Sequence, residues 1–239
     1  MHLSDRAYRR LKQLIVQRRF EPGQALSERM LADFLSVSRV PIREAIKVLE
    51  REGLLLVRPR RGIFVRHLTP EEVRELYEIR QALEGMATYL CAARGCGREM
   101  RVQRRSLERL LARGSKVDHA EIQRSSSRFH RIIFDLCGNS QLRALYRVIE
   151  PQIDLNLRFT ALYATHRIEQ ALREHIGIAK AIEAEQPRRA ERLTWLHLEN
   201  GKTARIAILR KQKAGRSKPP TRRTTRARKP VLATRQAAA

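Results

Sequence analysis

The chain has 239 residues, 42% hydrophobic and 31% charged, which is enough apolar material for one or two domains with their own cores. Its formal net charge of +25 is uneven: residues 1–69 contribute +8, residues 70–200 contribute +4 and residues 201–239 contribute +13, so we expect polyanions to bind at the two ends. The sequence lacks a membrane-span run, a signal-peptide core and a secreted cysteine framework, so we expect a cytoplasmic protein without membrane contact.

The first predicted helix covers Asp5–Gln17. Tyr8, Leu11 and Ile15 recur there at helical spacing, and the Pro22-Gly23 pair ends the pattern. This helix would cover one side of a small helical core.

A second, shorter helix is predicted from Ser27 to about Leu35. Ser27 suits the N-cap position because its hydroxyl can accept a hydrogen bond from a free amide of the first turn. We expect this helix to bury Met30, Leu31 and Phe34.

A third helix is predicted to begin after Ser38, its N-cap residue, with Pro41 tolerated in the first turn. The opposite sides of this helix differ in character. Its apolar face carries Ile42, Ala45, Ile46 and Leu49. Its basic face carries Arg39, Arg43 and Lys47, which are four residues apart and can lie in a groove.

Two β-prone runs around a basic connection follow this helix. Leu54–Val57 and Ile63–Val65 flank Arg58-Pro59-Arg60-Arg61-Gly62, which predicts a hairpin with three arginines at its tip. Gly53, just before the first run, suits a helix C-terminus because glycine accepts a positive φ. Three helices followed by a basic hairpin predict a winged helix-turn-helix.

The rest of the chain predicts helices only. Thr69-Pro70-Glu71-Glu72 combines a capping hydroxyl, a first-position proline and two acids, and begins a long helix that ends near Arg94. Turn signals separate the further predicted helices, which are Arg98–Arg113, Asp118–Cys137, Ser140–Tyr163, Arg167–Glu185 and Pro187–Lys211. The predicted fold is therefore mainly α: a winged helix-turn-helix domain over residues 1–66, a connector over 67–69 and an all-helical bundle domain over 70–211.

Residues 212–239 predict a disordered basic tail, because lysine, arginine, proline and threonine dominate there and acids are absent. Two interpretations are open. The tail adds non-specific attraction to phosphates, or it is a solubility tail without a dedicated role.

Three histidines lie on predicted core-facing stripes of three different helices, and they are His130, His175 and His197. Neutral imidazole nitrogens from three helices of a bundle can converge on Zn²⁺, Ni²⁺ or a similar ion. The cysteines predict buried or partly buried thiols, because the Cys91–Cys96 spacing is wrong for zinc and no second pair follows.

The N-terminal motifs resemble the DNA-binding domain of the GntR family of bacterial transcriptional regulators. The family pattern of Ser-Glu-Arg, Leu-Ala, Val-Ser-Arg-x-Pro-x-Arg-Glu-Ala, Leu-Glu, Glu-Gly-Leu and Arg-x-Gly-x-Phe-Val recurs almost unbroken, and the resemblance covers roughly Leu3 to Arg66. It implies DNA contacts at Arg29, Ser38, Arg39 and Arg43, a base-reading position at Val40 and a close approach of the wing at Gly62. We add Lys47 from the basic face and Arg61 from the hairpin tip, since cations on both elements can bind phosphates or bases.

Residues from about Thr69 to Lys211 look like the FCD ligand-binding domain of the FadR-type branch of that family. The matching pieces are Arg80-x-x-Leu-Glu84, Phe129-His130 with Gly138-Asn139, Glu174-His175 with Ala181-Ile182, and His197-Leu198. This resemblance implies that a small effector, expected to be a carboxylate, binds within the helical domain.

Metal-binding members of that family use an Asp four residues before the first histidine, and here Ser126 holds that position. Two outcomes are open. The three histidines hold an ion with water or an effector carboxylate in the gap, or they bind the effector directly. Arg80 is the leading cation for a carboxylate, and its alternative role is an ion pair with Glu84.

We therefore expect a sequence-specific transcriptional regulator that acts as a homodimer on a palindromic operator in the bacterial cytoplasm, associated with the nucleoid when it binds DNA. We do not expect an enzyme. A metallohydrolase is the first alternative, but no acid is convincingly placed as a general base beside the histidines. A non-specific nucleoid or RNA-binding protein driven by the tail is the second.

Overall fold

The computed structural model of the chain describes residues 3–17, 19–114, 118–161 and 165–216. These residues form nine helices and three strands, which are α1 (Leu3–Val16), β1 (Ala25–Leu26), α2 (Glu28–Leu35), α3 (Arg39–Arg51), β2 (Leu55–Arg58), β3 (Gly62–Val65), α4 (Pro70–Ala93), α5 (Gly97–Ala112), α6 (His119–Leu136), α7 (Ser140–Ala161), α8 (Thr165–Glu183) and α9 (Pro187–Arg216). The predicted mainly α fold, with a winged helix-turn-helix followed by helices, is confirmed.

Residues 3–66, called the head below, pack three helices around a small core with a sheet at one side. Leu11, Leu31 and Leu49, one from each helix, are at most 1% exposed. The predicted hairpin is present, and its strands β2 and β3 pair antiparallel with Arg58 opposite Gly62. Strand β1 adds a third, antiparallel member beside β3. It was not predicted, because two residues are too few to show a periodic pattern.

The predicted helix caps are present at two of three positions. The Ser27 hydroxyl accepts a hydrogen bond from the Met30 amide at 3.1 Å. Thr69 forms a reciprocal capping box, in which its hydroxyl accepts from the Glu72 amide and Glu72 Oε2 accepts from the Thr69 amide at 2.8 Å. Ser38 occupies the N-cap position of α3, but its side chain makes no capping hydrogen bond. The Ser38 hydroxyl therefore does not cap α3 in this structure.

The prediction of burial was wrong for one residue of the head. Phe34 is 58% exposed, whereas Leu31 is fully buried and Met30 is half-buried. The buried side of this two-turn helix is narrow and is formed by Leu31 and Ala32. Phe34 lies at its edge, where its ring meets that of Phe20 edge-to-face at 6.0 Å.

The six helices α4 to α9, called the bundle below, share a second core. Helices α4 and α9 run antiparallel: the Trp195 indole donates to Gln81 O at 3.1 Å, and Thr194 Oγ1 bonds Thr88 Oγ1 at 3.2 Å. Cys91 and Cys137 are buried and Cys96 is half-buried, as predicted, and burial raises the pKa of the Cys91 thiol well above its usual range. None of the described helices has the length and apolar composition needed to cross a bilayer.

Helix α7 belongs to the bundle but also contacts the head. Leu155 is 4% exposed and packs in the core of the head, whereas Ile153, two residues earlier, packs in the core of the bundle. The Gln152 side chain covers Gly53, the glycine that ends α3 at a positive φ of 68°. Helix α7 therefore joins the two parts through side-chain packing.

Four residues, 66–69, connect the end of β3 to the start of α4. The Arg66 amide donates to Leu54 O at 3.0 Å, and its guanidinium donates to Glu72 Oε1 at 2.7 Å. The connector is thus bonded to both the head and the first turn of α4.

The last helix is longer than predicted. It ends at Arg216 and not at Lys211, so residues 212–216 are helical and the prediction of disorder from residue 212 was wrong for them. Gln212, Lys213 and Ala214 are residue types that favour helix, so the helix can continue through them. The remainder of the predicted tail, residues 217–239, lies outside the described residues.

Candidate functional site

The basic face of α3 is exposed because the opposite face is buried. Ile42 and Leu49 have no exposed surface, and they fix the helix against the head. Val40, in the first turn, is 71% exposed although it is apolar. All eight residues that the sequence predicts to contact DNA lie at the surface, and they are Arg29, Ser38, Arg39, Val40, Arg43, Lys47, Arg61 and Gly62.

Glu28, the first residue of α2, pairs with the basic face and was not among the predicted site residues. Arg43 donates from Nε to Glu28 Oε1 and from Nη2 to Oε2, both at 3.0 Å. Arg39 Nη2 lies 3.6 Å from the same Oε2. The hydrogen bonds from Arg43 lower the pKa of Glu28, so it remains a carboxylate. Lys47 pairs instead with Glu44, at 3.0 Å.

The wing presents its arginines on a tight turn. The Arg61 amide donates to Arg58 O at 3.0 Å, and Arg60 has a positive φ of 60°. Gly62 follows with a φ of 107°, a conformation that L side chains rarely adopt. Glycine at this position therefore allows both the turn and a close approach of the backbone to a partner.

The three predicted histidines meet inside the bundle, and they are called the histidine cluster below. His175 Nε2 lies 3.2 Å from His130 Nε2 and 3.2 Å from His197 Nε2. They come from α8, α6 and α9, and each is at most 7% exposed. Phe129 stacks on His175 with ring centroids 4.5 Å apart.

Two carboxylates orient the outer histidines of the cluster. His130 Nδ1 lies 2.6 Å from Glu84 Oε2, and His197 Nδ1 lies 2.6 Å from Glu174 Oε2. A carboxylate at Nδ1 keeps the proton there and leaves the Nε2 lone pair facing inward. Acids do lie beside the histidines, but at Nδ1 of His130 and His197 and not beside the converging Nε2 atoms. These acids contact the outer edges of the rings and are already engaged by them.

Each of these carboxylates is in turn held by an arginine. Arg80 Nε donates to Glu84 Oε1 at 2.6 Å, and both residues are 2% exposed. Burial would raise the pKa of Glu84, but the charge of Arg80 and the hydrogen bond from His130 outweigh it and hold that pKa well below its usual range. Arg167 donates to Glu174 at 2.9 Å. The ion pair of Arg80 with Glu84, one of its two expected roles, is present.

The histidine cluster fits a divalent ion. Burial, followed by the neighbouring imidazoles, lowers the pKa of His175 and of His197 well below the usual range, so both rings are neutral at pH 7. A single N–H at His175 Nε2 cannot form linear hydrogen bonds to the Nε2 lone pairs of both His130 and His197. A cation can accept the Nε2 lone pairs of all three histidines. Zn–N bonds of about 2.0–2.1 Å at tetrahedral angles place two nitrogens about 3.3 Å apart, close to the 3.2 Å seen here.

Sequence reasoning found the histidines but missed the groups that orient them. Ser126 lies one helical turn before His130 and is half-buried. Glu84 was noted as a possible partner of Arg80 and Glu174 only as part of a motif, and neither was predicted to contact a histidine. Arg167 and Asn200 were not predicted as site residues. Asn200 donates to Glu174 Oε1 at 2.7 Å. His197 and Asn200 lie 23 and 26 residues from Glu174 on another helix, so no local spacing indicates these two contacts.

Comparison with known proteins agrees with both parts of the fold. The model of the "Bacterial regulatory proteins, gntR family" matches residues 3–65, and that of the "FCD domain" matches residues 75–200. An uncharacterized HTH-type transcriptional regulator, YdhC of Bacillus subtilis, is 31% identical over 194 residues, covering 81% of this chain and 86% of that protein. The HTH-type transcriptional repressor NanR of Cronobacter sakazakii is 26% identical over 235 residues, with 89% and 88% covered.

A solved structure supports the fold as well. A GntR transcriptional regulator from Rhodococcus sp. RHA1 superposes with a TM-score of 0.72 at 24% identity, over 85% of this chain and 97% of that one. An exposed basic helix with a wing, joined to a helical domain, defines the class of DNA-binding transcriptional regulators. The chain belongs to the GntR family within that class, and its second part is an FCD domain.

Proposed function

We propose that the chain is a repressor that binds a palindromic operator as a homodimer and responds to a small carboxylate bound at a metal ion in the histidine cluster. The observation that supports the sensing part is the convergence of three histidines, in which His175 Nε2 lies 3.2 Å from the Nε2 atoms of His130 and His197, with a carboxylate at Nδ1 of each of these two outer rings. Repression is supported by the relative from Cronobacter sakazakii, which is named a transcriptional repressor.

The charges around the histidine cluster favour a metal for binding an anion. Arg80 and Arg167 are each engaged with a carboxylate, so the nearby charges largely balance. A divalent ion held by His130, His175 and His197 supplies the positive charge that an effector carboxylate needs. Ser126 replaces the Asp of the family pattern and brings no charge, which leaves a place for the anionic group of the effector.

In the head, the basic face of α3 would enter the major groove while the wing contacts the backbone. A guanidinium can bind guanine O6 and N7 with two hydrogen bonds, and Val40 can contact a thymine methyl. Ser38, the N-cap residue of α3, would bind a phosphate together with the free amides of the first turn, and the absence of a capping hydrogen bond from its side chain supports this. The wing arginine Arg61 and the exposed Arg29 would add phosphate contacts.

Exposed apolar side chains on the bundle support pairing of two copies. Ile79 and Met86 lie two turns apart on α4 and are 48% and 45% exposed, and Leu145 and Val148 on α7 are 55% and 63% exposed. Such groups are typical of protein–protein contact surfaces. A dimer would place two heads on two operator half-sites. Light scattering of the purified chain measures the molar mass and therefore tests whether the chain is a dimer.

Selection of bound fragments from random DNA, with purified full-length protein, tests the DNA part. We expect an enriched palindrome, and Arg43→Ala should cost about 1–3 kcal/mol at the matched base pair while binding to other sequences changes little. Equal loss of affinity on every sequence would contradict the proposed role of Arg43 in base recognition.

Metal analysis tests the sensing part. We expect the purified protein to bind about one Zn²⁺ or Ni²⁺ per chain, and His175→Ala to lose it, since three ligands fall to two. His67→Ala serves as the control because His67 is an exposed histidine of the connector, outside the histidine cluster. Repeating the DNA selection with a panel of carboxylates, with and without chelator, then identifies the effector class. Operator release by a carboxylate that is independent of both metal and His175 would contradict the proposed site.

A further inference from the structure

We propose that Glu28 is a positioning residue for base recognition, which holds Arg43 so that the outer edge of its guanidinium faces the major groove. This inference rests on the proposed role of α3 in binding DNA. The starting observation is an acidic side chain within a surface that is otherwise basic, paired with two arginines at once.

The contact between Glu28 and Arg43 has a specific geometry. Nε and Nη2 of Arg43 donate to the two carboxylate oxygens, both at 3.0 Å, which uses one edge of the planar guanidinium. A guanidinium has five N–H groups, so the end that carries Nη1 and the second N–H of Nη2 keeps two parallel donors. Two parallel donors are what guanine O6 and N7 accept. Glu28 therefore leaves a recognition edge available.

The carboxylate itself is held in place. Glu28 begins α2, whose first turn is capped by the bond between the Ser27 hydroxyl and the Met30 amide. Its side chain is 24% exposed, less than half the 57% exposure of Arg43. Helices α2 and α3 are both fixed to the core of the head, so the position of the carboxylate relative to α3 is set by the fold.

A carboxylate facing DNA has two opposite effects. Repulsion of phosphates weakens binding to every sequence. Holding a long, flexible arginine before binding lowers the conformational entropy that is lost in the complex, and it favours one orientation of the donors. Glu28 should therefore lower affinity for DNA in general and raise discrimination between bases. These two effects can be measured separately.

The experiment compares dissociation constants of the full chain for its selected operator and for a scrambled duplex, at one salt concentration. The variant is Glu28→Gln, and the matched control is Glu44→Gln. Glu44 is the next residue on α3 after Arg43, is 51% exposed and pairs with Lys47, so its replacement makes the same change in charge while the hydrogen bonds of Arg43 to Glu28 remain. Both variants should bind scrambled DNA more tightly by a similar factor. Only Glu28→Gln should reduce the ratio of operator to scrambled affinity, by about 3- to 10-fold.

A second variant separates charge from positioning. Glu28→Asp keeps the negative charge but shortens the reach by one methylene, so binding to scrambled DNA should stay unchanged while the ratio falls. In an Arg43→Ala background, Glu28→Gln should have no further effect on the ratio. A melting temperature close to that of the unaltered chain shows that each variant is folded.

The outcomes distinguish failure of the role inferred for Glu28 from failure of the role proposed for α3 in binding DNA. If Arg43→Ala lowers the ratio and Glu28→Gln matches Glu44→Gln within about twofold, only the role of Glu28 is overturned. If Arg43→Ala also leaves the ratio unchanged, the proposed role of α3 in base recognition fails first.

Discussion

Substitution of single residues in the bundle is expected to change its stability strongly, because charged groups are buried there in pairs. Arg80 and Glu84 are each 2% exposed, and Glu84 also contacts His130. Removing one member of such a pair leaves the other as an uncompensated buried charge. The stability of the bundle and the orientation of the histidine cluster therefore depend on the same carboxylate.

Glu84→Gln should lower the free energy of unfolding by about 3–5 kcal/mol, because it leaves the buried guanidinium of Arg80 without its anionic partner. Urea denaturation in the presence of chelator measures this without a contribution from metal binding. Glu71→Gln, on the exposed first turn of the same helix, should change the value by less than about 0.5 kcal/mol. Similar unfolding curves for both variants would show that the buried pair contributes little.

The histidines predict a pH dependence of stability in the metal-free chain. The pKa values of His175 and His197 are low in the folded state, first because of burial, so the unfolded chain binds protons more readily. Their contribution is complete above about pH 6.5 and is lost as pH falls below it, by up to about 1.4 kcal/mol per pH unit for each histidine. Urea titrations between pH 7.5 and pH 5 with chelator test this, and a constant free energy of unfolding would contradict it.

At the residue scale the sequence predicted that these three histidines converge, but not which groups orient them. His130, His175 and His197 were found because each lies on an apolar helical stripe, which is a local signal. Glu174 contacts His197, 23 residues later on another helix, and Glu28 contacts Arg43, 15 residues later. Contacts between helices depend on packing angles that spacing does not encode. Phe34 was misassigned for a related reason, since a two-turn helix has a narrow buried side.

At the scale of elements, local chemistry predicted most helix boundaries. The capping box at Thr69, the positive φ of Gly53 and the helix break at Gly138 all lie where the sequence indicates. Strand β1 and the last turn of α9 were missed, because two residues show no period and a basic helix end resembles a basic tail. Which elements contact one another was not predictable, and the contact of α7 with the head is the main example.

Leu155→Ala tests that contact. Leu155 is 4% exposed in the core of the head although α7 belongs to the bundle, so its truncation should cost about 2–5 kcal/mol of unfolding free energy. Leu145→Ala, on the same helix at 55% exposure, should cost less than about 0.5 kcal/mol. Loss of response to metal or effector in Leu155→Ala, with operator affinity retained, would further indicate that α7 couples the two parts.

At the scale of the whole molecule, charge is concentrated where DNA is expected to bind. Residues 217–239 hold seven basic side chains and no acids, and they follow the end of α9. Charge of this kind attracts phosphates without regard to sequence, whereas the groups proposed to recognise bases lie in the head. Affinity and specificity should therefore be separable by truncation.

Removing residues 217–239 should weaken binding to operator and to scrambled DNA by the same factor. The slope of log affinity against log salt concentration should become less steep by up to about 6, if all seven cations contact phosphates. Fluorescence anisotropy over a range of salt concentrations measures both quantities. An unchanged slope would favour the interpretation of the tail as a solubility segment, and a loss confined to the operator would contradict its sequence independence.

The four-residue connector has a consequence for operator architecture. Arg66 is hydrogen-bonded to Leu54 in the head and to Glu72 in the first turn of α4, which restricts rotation of the head relative to the bundle. In a pair of such subunits, the distance and the rotational phase between the two bound half-sites are then set by the protein. Each base pair inserted into the spacer turns one half-site by about 35° around the duplex, so a single insertion should be tolerated poorly and a full helical turn should not restore binding.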